Sequence, residues 1–250
     1  MKNVGLKWWT LLRVLGRSLL VQASWNFDRL QNLGFFYMIL PGLRELYGDR
    51  LDAEVCRRHT DYFNTHPYLS PLVGAACLRL EARSLAGDDL PVDVTTFKRM
   101  VIAPFAAMGD ALFWGALRPL AAVVALFFAS QGSLWAPLAF LLLFNLPHLA
   151  VRVAGLLLGY VQDIRVIETI QRGRLPDLAI RLKEITVVLL GVLCAYLAFM
   201  GCEHQEIDAY WGGVVLPVIF LYAWLARRGM SSMFLVLLTT AGLLALAMLF

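Results

Sequence analysis

The sequence predicts an all-α integral membrane protein: a multi-span helical bundle with broken or re-entrant helices and an N-terminal amphipathic helix. Of its 250 residues, 60% are hydrophobic and only 16% are charged, whereas soluble domains are about 45–50% apolar and about 25% charged. Several uncharged stretches approach the roughly 20 residues that a helix needs to cross a bilayer. Prolines, glycines and isolated polar residues interrupt these stretches. The composition excludes a disordered or nucleic-acid-binding protein and argues against a soluble enzyme.

The N-terminal segment has the pattern of an amphipathic helix. Apolar side chains share one face and basic ones the opposite face: Val4, Trp8, Leu11, Leu12, Leu15 and Leu19 against Lys2, Arg13 and Arg17. Such a helix either lies along the membrane surface or packs on the rest of the chain, and the pattern fits both. The two arginines interrupt the apolar core that a signal peptide needs, so cleavage is not expected.

Charged residues are denser in the first part of the chain than in the second. We therefore divide the chain into a mixed amphipathic, partly membrane-embedded helical region, 1–110, and a transmembrane helical region, 111–250, within a single unit overall.

Two helices are predicted between residues 51 and 87. Asp52 is positioned to cap the first, which runs to Phe63 and is stopped by Pro67, and the second spans about 71–85. His59, on the charged first helix, is expected to be solvated. The turn between the helices is Asn64-Thr65-His66. Its donors and acceptors suit sugar hydroxyls, although an ordinary helix-terminating turn is the alternative.

Four apolar stretches provide the membrane spans. Residues 119–151 are uncharged, too long for one upright helix and too short for two full crossings, and Gly132-Ser133 interrupts them. We expect a tilted pair, or one crossing plus a partial one. Three further spans are expected at 185–202, 209–226 and 229–250.

Loop charges orient these spans. Basic residues lie in segment 162–184 and after residue 226, and acidic residues lie between the spans at 185–202 and 209–226: Arg165, Arg172, Arg174, Arg181, Lys183, Arg227 and Arg228 against Glu203, Glu206 and Asp208. The positive-inside tendency places the basic segments in the cytoplasm and the acidic turn outside.

Asp110 is the most informative acidic residue. It follows Pro104 and Gly109, which interrupt an apolar stretch. An ionised acid is costly in such surroundings, which marks a candidate functional site. It could also cap a helix beginning at Ala111, and the two roles can coexist. Trp114 follows one turn later, where its ring could stack on a pyranose or anchor at the lipid interface.

Two further polar residues stand in apolar sequence. Arg118 could pair with Asp110, but a separation of two turns strains that contact, and we favour snorkelling to the interface. Asn145 is either a helix-to-helix hydrogen-bonding group or part of the site.

Several chemistries have no motif in the sequence. The four cysteines form no C-x-x-C pair, and the histidines, which include His148 and His204, lack metal-ligand spacing. There is no phosphate-binding loop and no hydrolase motif. We expect no metal, no cofactor and no catalytic residue.

The polar segments resemble known motifs. Residues 22–29, with Trp25 and Asn26, resemble the G-S-W-N-[FY]-[DE]-R motif of enzyme IID, a membrane subunit of the mannose/fructose/sorbose phosphotransferase system. Residues 58–67 resemble its R-H-x-x-[FY]-F-N-T-x-P, and 109–119 resemble its G-D-x-[IL]-F-W-G-x-x-R-P. The resemblance runs from about residue 14 to the end of the sequence. This chain departs from the family at Ala107, usually glycine, at Ala111, usually proline, and at His66, where glutamine is common.

The resemblance implies a transport role. IID and a IIC subunit form the sugar translocator, a multi-pass, higher-oligomeric assembly among the lipids of the bacterial cytoplasmic (inner) membrane. Soluble IIA and IIB units relay phosphate, and a hexose is phosphorylated on entry. IID carries no phosphorylated residue and is not itself the enzyme. The alternatives are a diverged regulatory or interaction subunit without transport, motivated by the departures near Gly109, and an enzyme acting on lipid headgroups, for which the sequence offers no nucleophile.

We expect five residues to lie closest to substrate: Asn64, Thr65, His66, Asp110 and Trp114. Five others are expected to support the site: Trp25, Asn26, Gly109, Arg118 and Asn145.

Overall fold

The computed structural model describes residues 5–204, 213 and 215–248. Across these residues the chain forms helices, and the only β pairing consists of isolated bridges joining Asn26 to Leu30 and Leu30 to Phe63. The all-α prediction is confirmed. The helices are α1 (Trp8–Ser18), α2 (Asn32–Tyr47), α3 (Ala53–His59), α4 (Ser70–Leu85), α5 (Val94–Gly109), a π-helical segment (Asp110–Leu117), α6 (Arg118–Ser130), α7 (Trp135–Gln162), α8 (Val166–Arg172), α9 (Leu175–His204), α10 (Val215–Arg227) and α11 (Ser232–Ala247).

The chain divides into two compact units, Met1–Leu190 and Gly191–Phe250. The expected division after residue 110 stays a prediction. The core of the first unit surrounds α4, whose side chains are almost all buried. Helix α7 packs along α4, and Gly159 makes this possible: a Cβ atom there would collide with the backbone carbonyl of Leu72. This close approach of the two backbones fixes the position of α7 against α4.

Helix α1 packs on α2 through a buried face formed by Thr10, Leu11, Val14 and Ser18. The backbone N–H of Lys7 donates to Glu45 Oε1 at 2.8 Å. This matches the packed alternative for the N-terminal helix, but Trp8 and Leu19, which were expected on the same apolar face as Leu11, are exposed. Lys2 and Val4, which belonged to the predicted helix, lie outside the described residues.

Helix α3 begins where the sequence placed it, because the Asp52 side chain accepts a hydrogen bond from Val55 N at 2.9 Å. It ends at His59, so the expected extension to Phe63 is wrong. The reason is long-range pairing: the N–H of Gln31 donates to the Phe63 carbonyl at 2.8 Å, and the N–H of Phe63 donates to the Arg29 carbonyl at 3.3 Å. Phe63 therefore forms a β bridge with Leu30, which a residue inside a helix could not form.

The expectation that His59 is solvated is also wrong. Its side chain is fully buried, and Nε2 lies 2.8 Å from Oε1 of Glu81 on α4. Arg58 donates to the same carboxylate through Nε at 2.9 Å and Nη2 at 2.8 Å, and the hydroxyl of Tyr47 donates as well. This network joins α2, α3 and α4 and holds the start of segment 60–69.

The protonation states follow from the same contacts. Burial lowers the pKa of His59, and the positive charges of Lys98 and Arg58 also lower it. The hydrogen bond with Glu81 raises this pKa but is outweighed. Burial alone raises the pKa of Glu81, but the hydrogen bonds from His59 and Tyr47 and the charge of Arg58 outweigh it and hold that pKa below its ordinary value. Glu81 is therefore a buried carboxylate satisfied by several donors.

The expected break at Gly109-Asp110 is wrong. One helical stretch of 37 residues runs from Val94 to Ser130, with Pro104 inside it. The side chain of Asp110 caps no helix, because none begins at Ala111. Instead the hydrogen-bond pattern widens to a π-helix at Asp110. A π segment keeps the backbone hydrogen-bonded in apolar surroundings while it changes the register of the side chains that follow.

The apolar stretch 119–151 lies in two helices, α6 and α7, and whether these cross as a tilted pair or as one crossing plus a partial one stays a prediction. Helices α6 and α7 pack against each other across a turn in which Gly132 has a φ of 67°. Helix α7 continues past Val151 because Arg152 is buried within the fold: its Nη1 donates to the Ser18 carbonyl at 2.9 Å and to Ser18 Oγ at 3.0 Å.

Two helical stretches are long and apolar enough to cross a membrane, Val94–Ser130 and Trp135–His204, the second with short irregular segments inside it. In the second unit, α10 and α11 are shorter apolar helices joined by a hydrogen bond from Thr239 Oγ1 to Tyr222 OH at 2.8 Å. Glu206 and Asp208 of the expected outer turn, and parts of the spans predicted at 209–226 and 229–250, lie outside the described residues. The orientation of the spans stays a prediction.

Candidate functional site

Three segments that are far apart in sequence meet in the first unit: the loop 22–31, the segment 60–69 and the π segment. The loop is shaped by Asn26, whose Oδ1 accepts from Arg29 N at 2.8 Å and whose Nδ2 donates to Asn32 Oδ1 at 2.9 Å. Trp25 is exposed and packs edge-on against Phe27, with ring centroids 5.0 Å apart. Asn26 thus forms the turn, and its role in supporting the site stays a prediction.

Gln31 and Asn32 fasten this loop to segment 60–69. The Gln31 side chain accepts from Thr65 N at 3.2 Å, and Asn32 Nδ2 donates to the Thr60 carbonyl at 2.7 Å. Both side chains are buried. Sequence reasoning missed them, although two adjacent amide side chains at the start of an apolar helix were a usable signal.

Gly109 joins segment 60–69 to the π segment. A Cβ atom at this glycine would overlap Cβ and Cγ of His66, so only glycine fits. The His66 ring stacks on Phe113, with centroids 5.1 Å apart and planes 17° apart. The position of His66 is therefore fixed by its backbone, by a glycine and by an aromatic face.

His66 and Asp110 form the polar centre of the site. His66 Nε2 lies 3.8 Å from Asp110 Oδ1, too far for a hydrogen bond. The His66 side chain is fully buried, whereas that of Asp110 is 60% exposed. His66 Nδ1 accepts from Tyr68 N at 3.3 Å, which assigns the proton of the neutral ring to Nε2. This Nε2 has no hydrogen-bond partner, so a buried donor points toward an accessible carboxylate.

His66 is neutral near pH 7. Burial, the largest cause, together with the positive charge of Arg152 and the nearby His148, lowers its pKa to about 4. The ring therefore acts as a hydrogen-bonding group and not as a cation.

Aromatic side chains extend the site from His66. Trp114 lies 5.3 Å from the His66 ring and Tyr68 lies 4.7 Å from it, between centroids. Tyr68 in turn stacks on His148 at 4.2 Å. Trp114 is 39% exposed, which leaves part of its face open to a ligand.

Two further residues expected to support the site, Arg118 and Asn145, make the following contacts. The Arg118 guanidinium lies over the Trp114 ring, 5.6 Å from its centroid, and among the described residues it makes no ion pair with Asp110. Asn145 Oδ1 lies 2.8 Å from Nε2 of His148, one turn along the same helix. Among the described residues Asn145 is therefore paired within α7, and the choice between a helix-to-helix contact and a place in the site stays a prediction.

An open groove of about 880 Å³ lies beside this centre. Charged groups of both signs and small side chains line it: Asp28, Arg29, Asp61, Tyr62, Asn64, Lys98, Arg99, Ile102, Ala103, Ala106, Ala107 and Asp110. Of the five expected contact residues, Asn64 and Asp110 therefore line the groove. His66 and Trp114 adjoin Asp110, and Thr65 is buried behind them.

Lys98 is a groove residue that sequence reasoning missed. Its side chain is almost fully buried, and Nζ donates to the Arg58 carbonyl at 2.6 Å. A lysine inside an apolar helix was the signal that could have identified it. The described residues contain no cluster of His, Cys, Asp or Glu able to hold a metal ion.

The neutral state of His66 predicts a pH dependence. Because its pKa is about 4 in the folded protein and ordinarily about 6.5, the unfolded chain binds a proton first as the pH falls. Stability from this residue is complete above pH 6.5 and is lost as the pH falls toward 4, by roughly 2 kcal/mol at pH 5.

The test measures melting temperature in detergent at pH 7 and pH 5 for wild type and His66→Gln. The variant should lose less stability on acidification, because glutamine does not titrate. His204→Gln, at an exposed histidine, is the matched control and should behave as wild type. Equal acid sensitivity of His66→Gln and wild type would contradict the assignment.

Comparison with known proteins relates this chain to components of the phosphotransferase system. The family described as PTS system mannose/fructose/sorbose family IID component matches residues 6–204. The chain is 35% identical over 243 residues to the mannose-specific EIID component of Escherichia coli K12, covering 88% of this chain and 86% of that protein. It is 27% identical over 242 residues to the fructose permease IID component of Bacillus subtilis, with 88% of each covered. It is 31% identical over 185 residues to the sorbose-specific EIID component of Klebsiella pneumoniae, covering 73% and 68%.

Two solved structures resemble the fold. One is described as a membrane protein and matches with a TM-score of 0.73 and 27% identity. The other is the mannose transporter ManYZ in complex with microcin E492, with a TM-score of 0.60 and 28% identity. Each match covers 97% of both chains. The similarity therefore extends over nearly the whole chain and is to membrane proteins.

Proposed function

This chain belongs to the IID components of the mannose/fructose/sorbose family of the phosphotransferase system, and from that membership we propose that it forms a sugar pathway together with a IIC subunit. The substrate is a hexose of the mannose, fructose or sorbose class, and the location is the bacterial cytoplasmic membrane, which the chain crosses several times. The basic segment 162–184 faces the cytoplasm in this proposal. Phosphoryl transfer belongs to soluble IIA and IIB units, so this chain binds sugar without carrying phosphate.

One observation carries the site assignment: the buried, unpartnered Nε2 of His66 faces the exposed carboxylate of Asp110 beside a groove of about 880 Å³. A buried donor without a partner is costly, so a ligand that supplies an acceptor is favoured there. A sugar hydroxyl accepts from Nε2 and donates to the carboxylate at the same time. The pair therefore fits a neutral polyol better than a cation or an anion.

The neighbouring residues complete such a site. Asn64 lines the groove with both a donor and an acceptor. Trp114 offers a partly exposed ring to the apolar face of a pyranose. Thr65 is buried, and its hydroxyl has no partner among the described residues. We assign it to the wall behind Asn64, where it reaches a sugar only if the groove deepens when the IIC subunit is bound.

The alternative of a regulatory subunit without transport is not favoured. The relatives that carry transport names align over 88% of this chain, and the departures at Ala107 and Ala111 leave the contact of Gly109 with His66 in place. We therefore keep transport as the single proposed function.

Sugar uptake tests the proposal. The chain and its IIA, IIB and IIC partners are expressed in bacteria that lack their own transporters for labelled mannose, fructose and sorbose. Asp110→Asn and Trp114→Ala should each lower uptake at least about tenfold, because the first removes charged hydrogen bonds worth roughly 1.5–3 kcal/mol and the second removes apolar burial worth roughly 1.5–3 kcal/mol.

Membrane levels of each variant are compared by immunoblot. The matched controls are Asp49→Asn and Trp135→Ala, at exposed positions outside the groove, and both should transport at the wild-type rate. Wild-type uptake by both site variants would remove Asp110 and Trp114 from the site.

A further inference from the structure

Arg152 is a charged residue buried inside the long apolar helix α7. The residue is 5% exposed, and α7 lies in a stretch that is long and apolar enough to cross a membrane. Among the described residues no carboxylate forms an ion pair with it. A buried charge is costly unless other groups compensate it, and a charged residue inside a membrane helix marks a functional position. The contacts that compensate Arg152 therefore indicate its role.

The first of these contacts is with the C-terminal end of α1. Arg152 Nη1 donates to the Ser18 carbonyl at 2.9 Å and to Ser18 Oγ at 3.0 Å, and Ser18 is the last residue of that helix. The carbonyls at a helix C-terminus lack partners within the helix and carry the negative end of its dipole, so they stabilise a cation. The Ser18 hydroxyl donates to the Leu15 carbonyl at 2.6 Å, which leaves its oxygen free to accept from the guanidinium.

The second contact is with the ring of Tyr68. Arg152 Cζ lies over that ring, 5.0 Å from its centroid. His148, one turn earlier in α7, stacks on the same ring at 4.2 Å with planes 14° apart. Helix α7 thus holds Tyr68 through two side chains. Arginine suits both of its contacts, because a guanidinium donates hydrogen bonds while its plane lies over an aromatic ring, whereas a lysine ammonium has no plane to stack.

Tyr68 in turn determines the state of His66. Its backbone N–H donates to His66 Nδ1 at 3.3 Å, and its ring lies edge-on to the His66 ring with centroids 4.7 Å apart. Because Nδ1 accepts, the proton of the neutral ring is on Nε2, the atom that lies 3.8 Å from Asp110 Oδ1. A hydrogen bond of 3.3 Å is already long, so a small displacement of Tyr68 removes it. The donor that faces Asp110 therefore depends on where Tyr68 is held.

We infer that Arg152 is a positioning residue of the candidate site: anchored on the C-terminal end of α1, it holds Tyr68 so that His66 presents a protonated Nε2 to Asp110. This role rests on the proposed function, since the site that it serves is the proposed sugar site. It extends that function by placing a determinant of sugar binding on α7. Arg152 is not among the described residues that line the groove, so it acts through Tyr68 and not by contact with sugar.

A purely structural role for Arg152 is the alternative. In that case the residue only joins α7 to α1, and any cation that donates to the Ser18 carbonyl serves equally well. Lysine at this position keeps the charge and a donor but loses the plane over Tyr68. Arg152→Lys therefore separates the two roles. Arg79→Lys is the matched control, because Arg79 lies over the ring of Tyr160, 5.8 Å from its centroid.

The first experiment measures the His66 ring by ¹⁵N NMR of histidine-labelled protein in detergent, with the His66 signals identified by their loss in His66→Gln. At neutral pH, Arg152→Lys should move the unprotonated Nδ1 resonance downfield, toward that of a ring nitrogen that accepts no hydrogen bond. Arg79→Lys should leave it unchanged. If Arg152→Lys does not fold, Tyr68→Leu removes the same contact from its other end and should give the same shift. An unchanged His66 spectrum in the variant measured overturns the inference.

Sugar uptake at equal membrane levels gives the second readout. Arg152→Lys should lower uptake at least about tenfold, because a displacement of about 1 Å at a site can lower a rate by roughly a hundredfold. In a Tyr68→Leu background the same substitution should change uptake by less than about twofold, because the effects of residues that act through one another are not additive. Arg79→Lys should transport as wild type. Equal effects of Arg152→Lys in both backgrounds overturn the inference.

The positioning role and the sugar site fail in different ways. The NMR measurement requires no sugar, so a shifted His66 resonance in Arg152→Lys with normal uptake by Asp110→Asn keeps the positioning of His66 and removes the sugar site. Loss of uptake by Asp110→Asn, with an unchanged resonance and normal uptake in Arg152→Lys, keeps the sugar site and removes the positioning role.

Discussion

Replacing Glu81 with alanine should destabilise the folded protein by about 3–5 kcal/mol, the cost of breaking a buried ion pair by removing one partner. The carboxylate is 1% exposed and is shared by Arg58, His59 and Tyr47. Its removal leaves the buried ring of His59 without its partner and takes from Arg58 its ionic partner, although Arg58 Nη2 still donates to Tyr47 OH at 2.7 Å. In a chain of this size the melting temperature should fall by roughly 10 °C.

The measurement is thermal unfolding in detergent, followed by loss of monodisperse protein. Glu54→Ala is the matched control, since Glu54 is an exposed residue on α3, and it should change the unfolding free energy by less than about 0.5 kcal/mol. Equal melting temperatures for the two variants would show that the network contributes little to stability. Glu81→Gln should lie between them, because the amide still offers one acceptor.

Replacing Gly109 with alanine should lower sugar uptake at least about tenfold while the protein still reaches the membrane. The added Cβ overlaps Cβ and Cγ of His66, and no change of rotamer moves the Cβ atom. Overpacking of this kind costs about 1–3 kcal/mol. The ring of His66 must then shift relative to Asp110, and a displacement of about 1 Å at a binding site can lower a rate by roughly a hundredfold.

Gly16→Ala is the matched control for this substitution. It also lies inside a helix, but nothing stands within 4 Å of the added Cβ. Because alanine is a better helix former than glycine, the control should match or exceed wild type in stability and should transport normally. If Gly109→Ala transports as well as Gly16→Ala, the position of His66 is not critical for the pathway.

Local patterns predicted most of the helices. Helix α4 spans Ser70–Leu85 where about 71–85 was expected, and Asp52 caps α3, because capping residues and prolines act over a few residues. The order of the motifs also identified the family before any contact was known. Their convergence around His66 could only be expected from the resemblance, since loop 22–31 and residue 109 are joined by no local rule.

The predictions were wrong where contacts between residues distant in the chain outweigh the local preference for a helix or for exposure to solvent. Helix α3 ends early because Phe63 pairs with residues of loop 22–31. His59 is buried because its ring pairs with Glu81, which lies 22 residues further along the chain. The π segment was read as a break, because proline and glycine in an apolar run are equally consistent with an interrupted helix and with a continuous one of altered hydrogen bonding.

The amino-acid sequence by itself determined the membrane class, the helices and the family, because low charge content, apolar runs and short motifs are properties of local sequence. Only the tertiary structure decided which polar residues share a site. It placed the buried donor of His66 opposite Asp110, directed Asn145 to His148, and left Arg99, Asp110 and Arg118 exposed along one helix face. The physical reason is that burial and hydrogen-bond pairing depend on which helices pack together, and that packing is set by contacts between residues distant in the chain.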